Sequence, residues 1–283
     1  MKTAIIIVNF NGWRDSIGCL ESVFRMSGNW RVILCDNGSR GGDLDRIEAW
    51  ARGALDFTPD YPPGLPELVA PAVPKPVPCL RLTREEAEAP TPADPHPDLV
   101  LVDCGANLGF AGANNVGLRY ALARNEFDSF WLLNNDTRVH RDALLAMLRR
   151  LEQLPDAGIC GSTLLYFNRP SKVQARGGAW YCPWIGLPWH LGRERSVDRP
   201  FSALSCERRM SYVVGASMLV TRRFVREVGL MNEGYFLYFE ELDWALRGKR
   251  FRLAYAPESR VYHRVGASVG SSSHPARKSD VSD

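Results

Sequence analysis

The chain has 283 residues, enough for one large α/β domain or two small ones. Its 45% hydrophobic and 24% charged residues exclude disordered, collagen-like and coiled-coil proteins, and a formal net charge of +3 is too slight to indicate nucleic-acid binding. The seven cysteines are scattered without a Cys-x-x-Cys pair, which predicts neither a zinc cage nor a disulfide framework and fits a reducing cytoplasm.

The first half alternates short β-branched runs with amphipathic segments, the pattern of a mostly parallel sheet flanked by helices. The first run, Ala4–Val8, stops at polar Asn9 without a small-residue cleavage site, so it predicts a buried strand and not a signal peptide. No run reaches the ~18 apolar residues of a membrane-spanning helix. The predicted strands are Ala4–Val8, Arg31–Asp36, Leu99–Asp103, Ser129–Asn134 and Gly158–Thr163. The predicted helices lie around Trp13–Phe24, Leu44–Arg52, Ala111–Arg124 and Arg141–Leu154.

Polar clusters begin at the ends of four predicted strands, at Asn9, Asp36, Asp103 and Asn134. In an open α/β sheet the carboxyl ends of the strands share one edge, where ligands bind. We therefore expect these four polar clusters to converge on a single binding edge.

Residues 54–98 differ from the rest, because 12 of the 19 prolines fall between Pro59 and Pro97. Proline blocks helices and sheet ladders, so this segment is interpreted as an extended or poorly ordered insertion within one domain. A short helix at Thr83–Ala89 is predicted inside it, since Thr83 and Glu86 form a capping box.

The second half is rich in aromatic residues. Tyr212–Thr221 predicts a strand and Arg222–Val228 a helix, and the polar tail after Gly270 is expected to fray. Five aromatic side chains are candidates for stacking on sugar rings: Trp180, Trp184, Trp189, Tyr235 and Trp244. Burial in the core is the favoured interpretation for Trp244, and the other four stay open.

Three segments of the first half could bind a nucleotide and a metal. Asp136 ends an apolar strand, where a carboxylate suits a hard cation that bridges phosphates; an Asx turn or a helix cap explains it equally well. Asp36, before Asn37 and Gly38, could accept a hydrogen bond from a pyrimidine ring, although a turn aspartate is the simpler interpretation. The glycine-rich segment from Gly105 to Asn115 could direct backbone N–H groups at an anion, or form only a tight turn.

Two segments of the second half carry further chemistry. Glu240, Glu241 and Asp243 follow five apolar or aromatic residues, surroundings that would raise the pKa of a carboxylate and prepare it to accept a proton. An acidic first helical turn is the alternative. His263, at the end of the segment Arg260–His263, could be a metal ligand or a phosphate donor, or could be structural.

The order of these motifs resembles the family-two inverting glycosyltransferases of the GT-A fold, and most closely their rhamnosyltransferase-like branch. The resemblance covers nearly the whole chain except the proline-rich insertion and the tail. It is carried by residues 6–12, 36–39, 107–117, 133–137, 215–216, 238–243 and 261–263.

The resemblance implies an α/β fold of the GT-A type, with a mostly parallel sheet flanked by helices and a smaller mixed acceptor-side region. Residues 1–165 would form the nucleotide-sugar-binding part, 166–270 the acceptor and catalytic part of the same domain, and 271–283 a flexible tail. The implied donor-binding residues are Asn9, Asn11, Asp36, Asn37, Asn107, Gly109, Phe110, Asn114, Asn135 and Asp136. Glu241 would be the catalytic base beside Glu240, and Asp136 and His263 would hold Mg²⁺ or Mn²⁺.

The chain departs from the family pattern at two of these positions. Asn134 replaces the first aspartate of the Asp-x-Asp metal motif, and Glu241 replaces the more usual aspartate base. The first change reduces the metal-ligand set, and the second lengthens the reach of the base.

The implied function is transfer of a sugar, with rhamnose one candidate, from a dTDP- or UDP-sugar to a glycan or lipid-linked glycan. We expect a cytoplasmic enzyme, with peripheral association with the inner face of the membrane as an added hypothesis. A nucleotidyltransferase and a non-catalytic glycan- or nucleotide-binding module are the alternatives.

Overall fold

The computed structural model describes residues 1–89 and 97–264. The strands are β1 (Thr3–Asn9), β2 (Trp30–Asp36), β3 (Cys79–Thr83), β4 (Leu99–Asp103), β5 (Ser129–Asn134), β6 (Thr137–Val139), β7 (Ala157–Tyr166), β8 (Arg169–Arg176), β9 (Gly178–Cys182), β10 (Leu187–His190), β11 (Tyr212–Val213), β12 (Ser217–Thr221) and β13 (Arg252–His263). The helices are α1 (Trp13–Val23), α2 (Asp43–Arg52), α3 (Arg84–Glu88), α4 (Gly109–Ala123), α5 (Ala143–Gln153), α6 (Ala203–Arg209), α7 (Arg222–Val228) and α8 (Glu240–Arg247).

A 10-stranded sheet forms the centre of the molecule, in the order β3-β4-β2-β1-β5-β12-β7-β13-β6, with β8 paired to β7. The first five strands in this order are parallel to one another, while β12 runs antiparallel to both β5 and β7. The predicted α/β architecture with a mostly parallel central sheet is therefore confirmed.

A second, three-stranded sheet, β10-β9-β11, is antiparallel and lies in the second half of the chain. The prediction of one continuous strand at Tyr212–Thr221 is wrong, because the segment forms two strands that belong to different sheets. β11 pairs with β9, β12 pairs with β5, and residues 214–216 form the crossing between them. That crossing becomes part of the candidate site.

Helices cover both faces of the large sheet, and β1 shows why. Ile5 and Ile7 pack with α1, α2 and α5 on one face, whereas Ile6 packs with α4, α7 and α8 on the other. Successive side chains of a strand point to opposite faces, so a continuous apolar run is what a strand buried on both sides requires. The polar strand ends are therefore held by a core that is packed on both faces of the sheet.

The proline-rich segment is partly built into this sheet. Residues 54–78 contain only a 3₁₀ turn at Pro66–Leu68, as the proline content predicts. The capping box is confirmed, with Glu86 N donating to Thr83 Oγ1 at 3.2 Å and Thr83 N to Glu86 Oε2 at 2.8 Å. The strand β3, which the sequence analysis missed, pairs in parallel with β4 at the edge of the large sheet.

The division of the chain at residue 165 stays a prediction, and β7 runs across it from Ala157 to Tyr166. The tail at 271–283 lies outside the described residues. Among the helices that the structure describes, none combines the length and the apolar character needed to cross a bilayer.

Candidate active site

The polar ends of the parallel strands lie at one edge of the large sheet. Asn9 is in register with Asp36, Asp36 is in register with Asp103, and Val8 is in register with Asn134. The predicted convergence of four polar clusters is thus present in the strand register. The loops that leave this edge form the candidate donor cradle, defined as residues 9–12, 36–39, 105–110 and 134–137.

Asn9 is the centre of the hydrogen-bond network beneath the cradle, and it is fully buried. Its Nδ2 lies 2.6 Å from Asp36 Oδ1 and 3.1 Å from both Ser39 Oγ and Asp43 Oδ2. Its Oδ1 accepts from Ser16 Oγ at 2.6 Å. In this structure Asn9 positions its neighbours and presents no exposed atom to a ligand.

Asp36 is buried, and its carboxylate organises the loop that follows β2. Besides Asn9, it accepts from Ser39 Oγ at 2.6 Å and from Ser39 N at 3.0 Å. Ser39 also accepts from Asn11 N at 2.8 Å, and Asn11 Oδ1 accepts from Arg40 N at 3.0 Å. The aspartate turn considered in the sequence analysis is therefore present, and it fastens the Asn11 loop to the Asp36 loop.

Asn37 connects the second loop to the glycine-rich turn. Its Nδ2 donates to Asn107 Oδ1 at 2.9 Å, and its Oδ1 accepts from Leu108 N at 2.8 Å. Gly38 has a φ of +77°, and a Cβ there would lie 2.7 Å from the backbone of Ala106. Only glycine allows the two loops to approach this closely.

The glycine-rich turn also contacts the second half of the chain. Gly109 has a φ of +71°, and a Cβ there would lie 2.5 Å from Phe236 O. Phe110 N donates to the same carbonyl at 3.0 Å. Asn114, in contrast, is buried within α4 and donates to Phe110 O at 2.9 Å. The turn thus joins the cradle to the aromatic loop, residues 235–239.

Asn135 fixes the fourth loop of the cradle. Its buried Nδ2 lies 3.0 Å from Ser16 Oγ and 3.4 Å from Asn9 Oδ1. Its neighbour Asn134 donates its backbone N–H to Ala216 O at 3.1 Å. This last bond ties the β5 end to the crossing at 214–216.

Asp136 and His263 face each other at the end of this loop. Asp136 Oδ1 lies 3.2 Å from His263 Nε2, and among the described residues this buried oxygen has no hydrogen-bond donor. His263 Nδ1 lies 2.9 Å from Gln174 Oε1, an acceptor, so Nδ1 carries the proton. In the neutral ring this tautomer leaves a lone pair on Nε2 facing the Asp136 oxygen, which is the form that a metal ligand requires.

Two acceptors at this separation fit a divalent cation between or beside them, and a polarised imidazole with a fixed tautomer is a usual metal ligand. The described residues contain no group of three or more His, Cys, Asp or Glu side chains suited to a metal. Mg²⁺ and Mn²⁺ commonly take one or two protein ligands and complete their shell with water and phosphate oxygens. The pair therefore fits the implied metal, with Asn134 outside the carboxylate set.

Glu241 stands at the start of α8, and Gly215 holds its carboxylate. Gly215 N donates to Glu241 Oε1 at 3.2 Å. A Cβ on Gly215 would lie 2.4 Å from the same oxygen, so the carboxylate occupies the space of a side chain. Because Ala216 is bonded to Asn134, this contact brings Glu241 to the edge that carries Asp136.

Glu240 is also buried, with a relative exposure of 2%, and its Oε2 has no hydrogen-bond partner among the described residues. Burial, and then repulsion from Glu241, raises the pKa of Glu240 to about 7. Burial also raises the pKa of Glu241. Both shifts agree with the expectation that apolar surroundings raise the pKa of these acids, and a raised pKa makes a carboxylate a better proton acceptor.

The aromatic residues fall into two groups. Trp244 is fully buried, as expected, whereas Trp180, Trp184, Trp189 and Tyr235 are 45%, 92%, 45% and 37% exposed. Tyr238 and Phe239, directly before Glu240, have φ values of +71° and +69°. Non-glycine residues in this region are strained, and such strain concentrates at functional sites.

The sequence analysis assigned no role to several residues of the site, although Ser39 and Gly215 lie in two of the motifs that carry the resemblance, 36–39 and 215–216. Ser39, Asp43, Ser16 and Gln174 act through hydrogen bonds to the predicted residues, and Gly215 acts through the space it leaves. Asp43 and Ser39 lie close to Asp36 in sequence, and this proximity could have indicated that they belong to the same loop network. Gln174 lies 89 positions before His263, and no local pattern connects the two.

The fold is that of GT-A glycosyltransferases. GalNAc-T7, solved with UDP, GalNAc and Mn²⁺, superposes with a TM-score of 0.61 at 14% identity, over 93% of this chain and 44% of that one. The mannosyltransferase PcManGT of Pyrobaculum calidifontis, solved with GDP-Man and Mn²⁺, gives 0.57 at 14% identity, over 93% of this chain and 56% of that one.

The family described as Glycosyl transferase family 2 matches residues 83–226, just over half of the sequence, and the chain belongs to that family. The family match and the fold thus agree, since the matched family and the solved structures both belong to the glycosyltransferases.

Two relatives match the chain over part of their length. The low-salt glycan biosynthesis hexosyltransferase Agl10 of Haloferax volcanii is 26% identical over 159 residues, 55% of this chain and 48% of that protein. The N-acetylglucosaminyl-diphospho-decaprenol L-rhamnosyltransferase of Mycobacterium tuberculosis is 27% identical over 194 residues, 62% of each chain. The alignments thus span about half to three fifths of these relatives.

Proposed function

We propose that this protein moves a sugar, with rhamnose a candidate, from a dTDP- or UDP-sugar to a hydroxyl of a glycan or lipid-linked glycan, with inversion at the anomeric carbon. The observation that carries the proposal is the shared edge of the sheet. There the Asp136–His263 pair and the pair formed by buried Glu240 and partly exposed Glu241 are linked through Asn134, Ala216 and Gly215.

The donor would lie in the cradle. Asp36 would face the pyrimidine, since its four lone-pair positions hold three donors in the structure and leave one. Asn11 and Asn107 are exposed and would offer polar contacts to the ribose or the sugar. The buried Asn9, Asn114 and Asn135 would keep the loops in place before the donor arrives, which lowers the cost of binding.

Asp136 and His263 would hold Mg²⁺ or Mn²⁺ with the donor diphosphate. When bound, such an ion offsets the charge that develops on the diphosphate leaving group. The buried Gln174 keeps the His263 ring in the tautomer and orientation that a metal requires.

Glu241 would take the proton from the acceptor hydroxyl as that oxygen attacks the anomeric carbon. Its carboxylate is fixed by Gly215 N, and its raised pKa gives it the basicity for this transfer. Glu240, whose pKa is raised to about 7, would keep the negative charge of the pair low near neutral pH. The exposed side chains of the aromatic loop would stack on the acceptor rings.

The acceptor side carries an exposed apolar surface that suits a lipid-linked acceptor. The tip of the β9–β10 hairpin presents Trp184, Ile185 and Leu187, which are 92%, 59% and 53% exposed. Exposed arginines follow it at 193, 195, 199, 208 and 209. Aromatic tips flanked by cations favour the interface of an anionic membrane, so we propose peripheral association there.

Glu241→Gln provides the test. It should lower turnover by about 10²- to 10⁴-fold while donor binding is nearly unchanged, because a general base acts in the chemical step. Nucleoside diphosphate release from a panel of dTDP- and UDP-sugars with Mn²⁺ measures turnover, and calorimetry with the nucleotide measures binding.

Asp243→Asn is the matched control, because Asp243 lies on the same helix but pairs with Arg247 at 2.8 Å. Wild-type turnover in Glu241→Gln would remove Glu241 as the base. Pyrophosphate release from a nucleoside triphosphate would favour a nucleotidyltransferase, and metal-dependent nucleotide binding without turnover would favour a binding module.

A further inference from the structure

A cavity of about 700 Å³ lies on the acceptor side, apart from the donor cradle. The segment 191–202, the strands β8 to β10 and the helix α6 form its walls, and none of Asp36, Asp136 and Glu241 lines it. Among the residues that the structure describes, no aspartate or glutamate lines the cavity. Five arginines line it: Arg176, Arg193, Arg195, Arg199 and Arg209. The cavity is therefore strongly cationic.

Arg176 is the buried member of this set, with a relative exposure of 3%. Its Nη2 donates to the carbonyl oxygens of Ser196 and Arg199 at 3.2 and 3.0 Å, and its guanidinium stacks on Phe201 at 3.5 Å. Its Nη1 is buried and has no hydrogen-bond partner in the described part of the chain. No carboxylate of the described residues forms an ion pair with Arg176.

A buried guanidinium without a counter-charge is unfavourable unless something compensates it. Gly192 shows that this placement is built into the loop. Gly192 has a φ of +75°, and a Cβ there would lie 2.9 Å from Arg176 Cδ. The Arg176 side chain therefore occupies the space that a side chain at position 192 would need. An anion in the cavity would satisfy Nη1 and the charge together.

The nearest carboxylate in sequence does not fill this role. Glu194 forms a two-bond ion pair with Arg169, at 2.8 and 2.9 Å, and is not among the residues that line the cavity. The four other lining arginines are exposed and point to a ligand with several anionic oxygens.

The cavity lies next to the proposed catalytic site. In β9, Tyr181 packs on Phe239 while Trp180 lines the cavity, so the strand separates the cavity from the loop before Glu240. In β8, Gln174 contacts His263 and Arg176 stands two residues further on. Trp180 and Trp189 also connect the cavity to the apolar hairpin.

We propose that this cavity binds a phosphate or diphosphate group of the acceptor, with Arg176 as its buried anchor. The assignment of the bound anion to the acceptor substrate, and not to the donor, rests on the proposed function. A diphosphate held here would place a sugar on one side toward Glu241 and a lipid on the other toward the hairpin.

Calorimetry with inorganic pyrophosphate, in buffer with a chelator in place of divalent metal, tests the site. Arg176→Gln should weaken binding roughly 10- to 100-fold, the loss expected for a charge-assisted hydrogen bond. Arg195→Gln, at an exposed lining position, should weaken it by a smaller factor and guards against misfolding of the buried variant. Arg149→Gln removes an exposed arginine of α5, outside the cavity, and should bind as the wild type does.

Asp136→Asn separates this site from the donor site. It should lose Mn²⁺-dependent UDP binding and keep pyrophosphate binding, whereas Arg176→Gln should show the reverse. Pyrophosphate binding that disappears in Asp136→Asn, or that persists at wild-type strength in Arg176→Gln, would overturn the proposal, as would a wild-type protein that binds no pyrophosphate. Absence of transferase turnover with these binding results intact would refute the proposed function and the acceptor assignment, but not the anion site.

Sedimentation with phosphatidylcholine vesicles, with and without phosphatidylglycerol, distinguishes a lipid headgroup from a diphosphate. Because Arg176 is buried, Arg176→Gln should bind anionic vesicles as the wild type does. Vesicle binding that depends on Arg176 would assign the cavity to a lipid headgroup and overturn the diphosphate assignment.

Discussion

The candidate donor cradle and the proposed acceptor side, residues 166–264, differ in how far the protein satisfies its own polar groups. In the cradle, Asn9, Asp36, Asn37 and Asn135 bond to one another or to neighbouring loops, and nearly all of their side-chain atoms have partners. On the acceptor side, Arg176 and Glu240 are buried with unpartnered atoms, and Trp184 is 92% exposed. Apart from Asp136 Oδ1, which has no hydrogen-bond donor among the described residues, the cradle is largely satisfied without a ligand, whereas the acceptor side keeps buried charged groups with unpartnered atoms.

This difference has a physical meaning. A satisfied network is rigid and keeps its geometry before the donor binds, which saves ordering entropy. Unpartnered charges and exposed apolar residues carry a cost in the free protein that a matching ligand removes. The comparison therefore predicts that substitutions in the two regions have different consequences for stability and activity.

The largest expected effect is on turnover, at the junction of the two regions. Gly215→Ala would place a Cβ 2.4 Å from the present position of Glu241 Oε1 and displace the carboxylate. A misplaced base should lower turnover by about 10²-fold or more, with donor binding retained. Single-turnover kinetics with saturating donor measures this.

A double variant provides the control for Gly215→Ala. Adding Glu241→Asp shortens the side chain by one methylene and relieves the contact, so part of the lost turnover should return. If Gly215→Ala keeps full turnover, the close contact between Gly215 and the Glu241 carboxylate is not needed for catalysis.

Asn9→Ala tests the cradle as a unit. It removes the amide between Asp36 and Asp43, which takes one donor from each buried carboxylate and the acceptor from the Ser16 hydroxyl. The free energy of unfolding should fall by about 2–4 kcal/mol, and donor affinity should fall with it. Urea unfolding and nucleotide calorimetry measure the two effects.

The matched control for Asn9→Ala is Asn11→Ala, at an exposed position of the same loop with a single side-chain bond to Arg40 N. It should cost much less stability. Equal losses in the two variants would contradict the central role of Asn9.

The parts of the molecule that the sequence predicted are those set by local pattern. The apolar run Ala4–Val8 and the turn residues after it identify β1 and its polar end without further information. The strand β3 was missed because Pro76 and Pro78 precede it and its burial is incomplete, so it lacks a continuous apolar run. The break between β11 and β12 depends on which strands they pair with, which the local pattern does not contain.

Within the site, too, the residues with a local sequence signal were predicted and those defined by tertiary contacts were not. Asp36, Asp136 and Glu241 could be selected because strand ends and acidic clusters are visible in the sequence. Gln174 and Arg176 could not be selected, since a glutamine and an arginine within an ordinary strand pattern carry no signal. Their importance comes from contacts with His263 and with the loop at Gly192.

The buried acids predict an effect of pH on stability. The pKa of Glu240 is raised from 4.5 to about 7 in the folded protein, so the stability this group contributes is present below pH 4.5 and is lost as the pH rises through 7. A glutamine cannot lose a proton, so Glu240→Gln does not suffer this loss of stability at high pH. The difference in the free energy of unfolding between Glu240→Gln and the wild type should therefore be more favourable to the variant at pH 8 than at pH 5, by on the order of 1–3 kcal/mol.

Urea unfolding at the two pH values measures the difference. A Glu240→Gln variant that differs from the wild type by the same amount at pH 5 and pH 8 would show that Glu240 does not titrate in this range. Turnover of the wild type should rise with pH at values above the ordinary range of a glutamate, because burial raises the pKa of Glu241 and the proposed base must lose its proton.

The smallest effect on folding is expected at the hairpin tip, and it separates the two regions most clearly. Trp184→Ser removes a side chain that is 92% exposed, so the free energy of unfolding should stay within about 0.5 kcal/mol of the wild type. Donor binding should also be unchanged, because the tip is absent from the cradle. Sedimentation with anionic vesicles should nevertheless weaken, since an interfacial tryptophan supplies much of the apolar contact. Unchanged vesicle binding in Trp184→Ser would remove the hairpin as a membrane contact, and a large loss of stability would mean that this tip, like the cradle, belongs to the folded core.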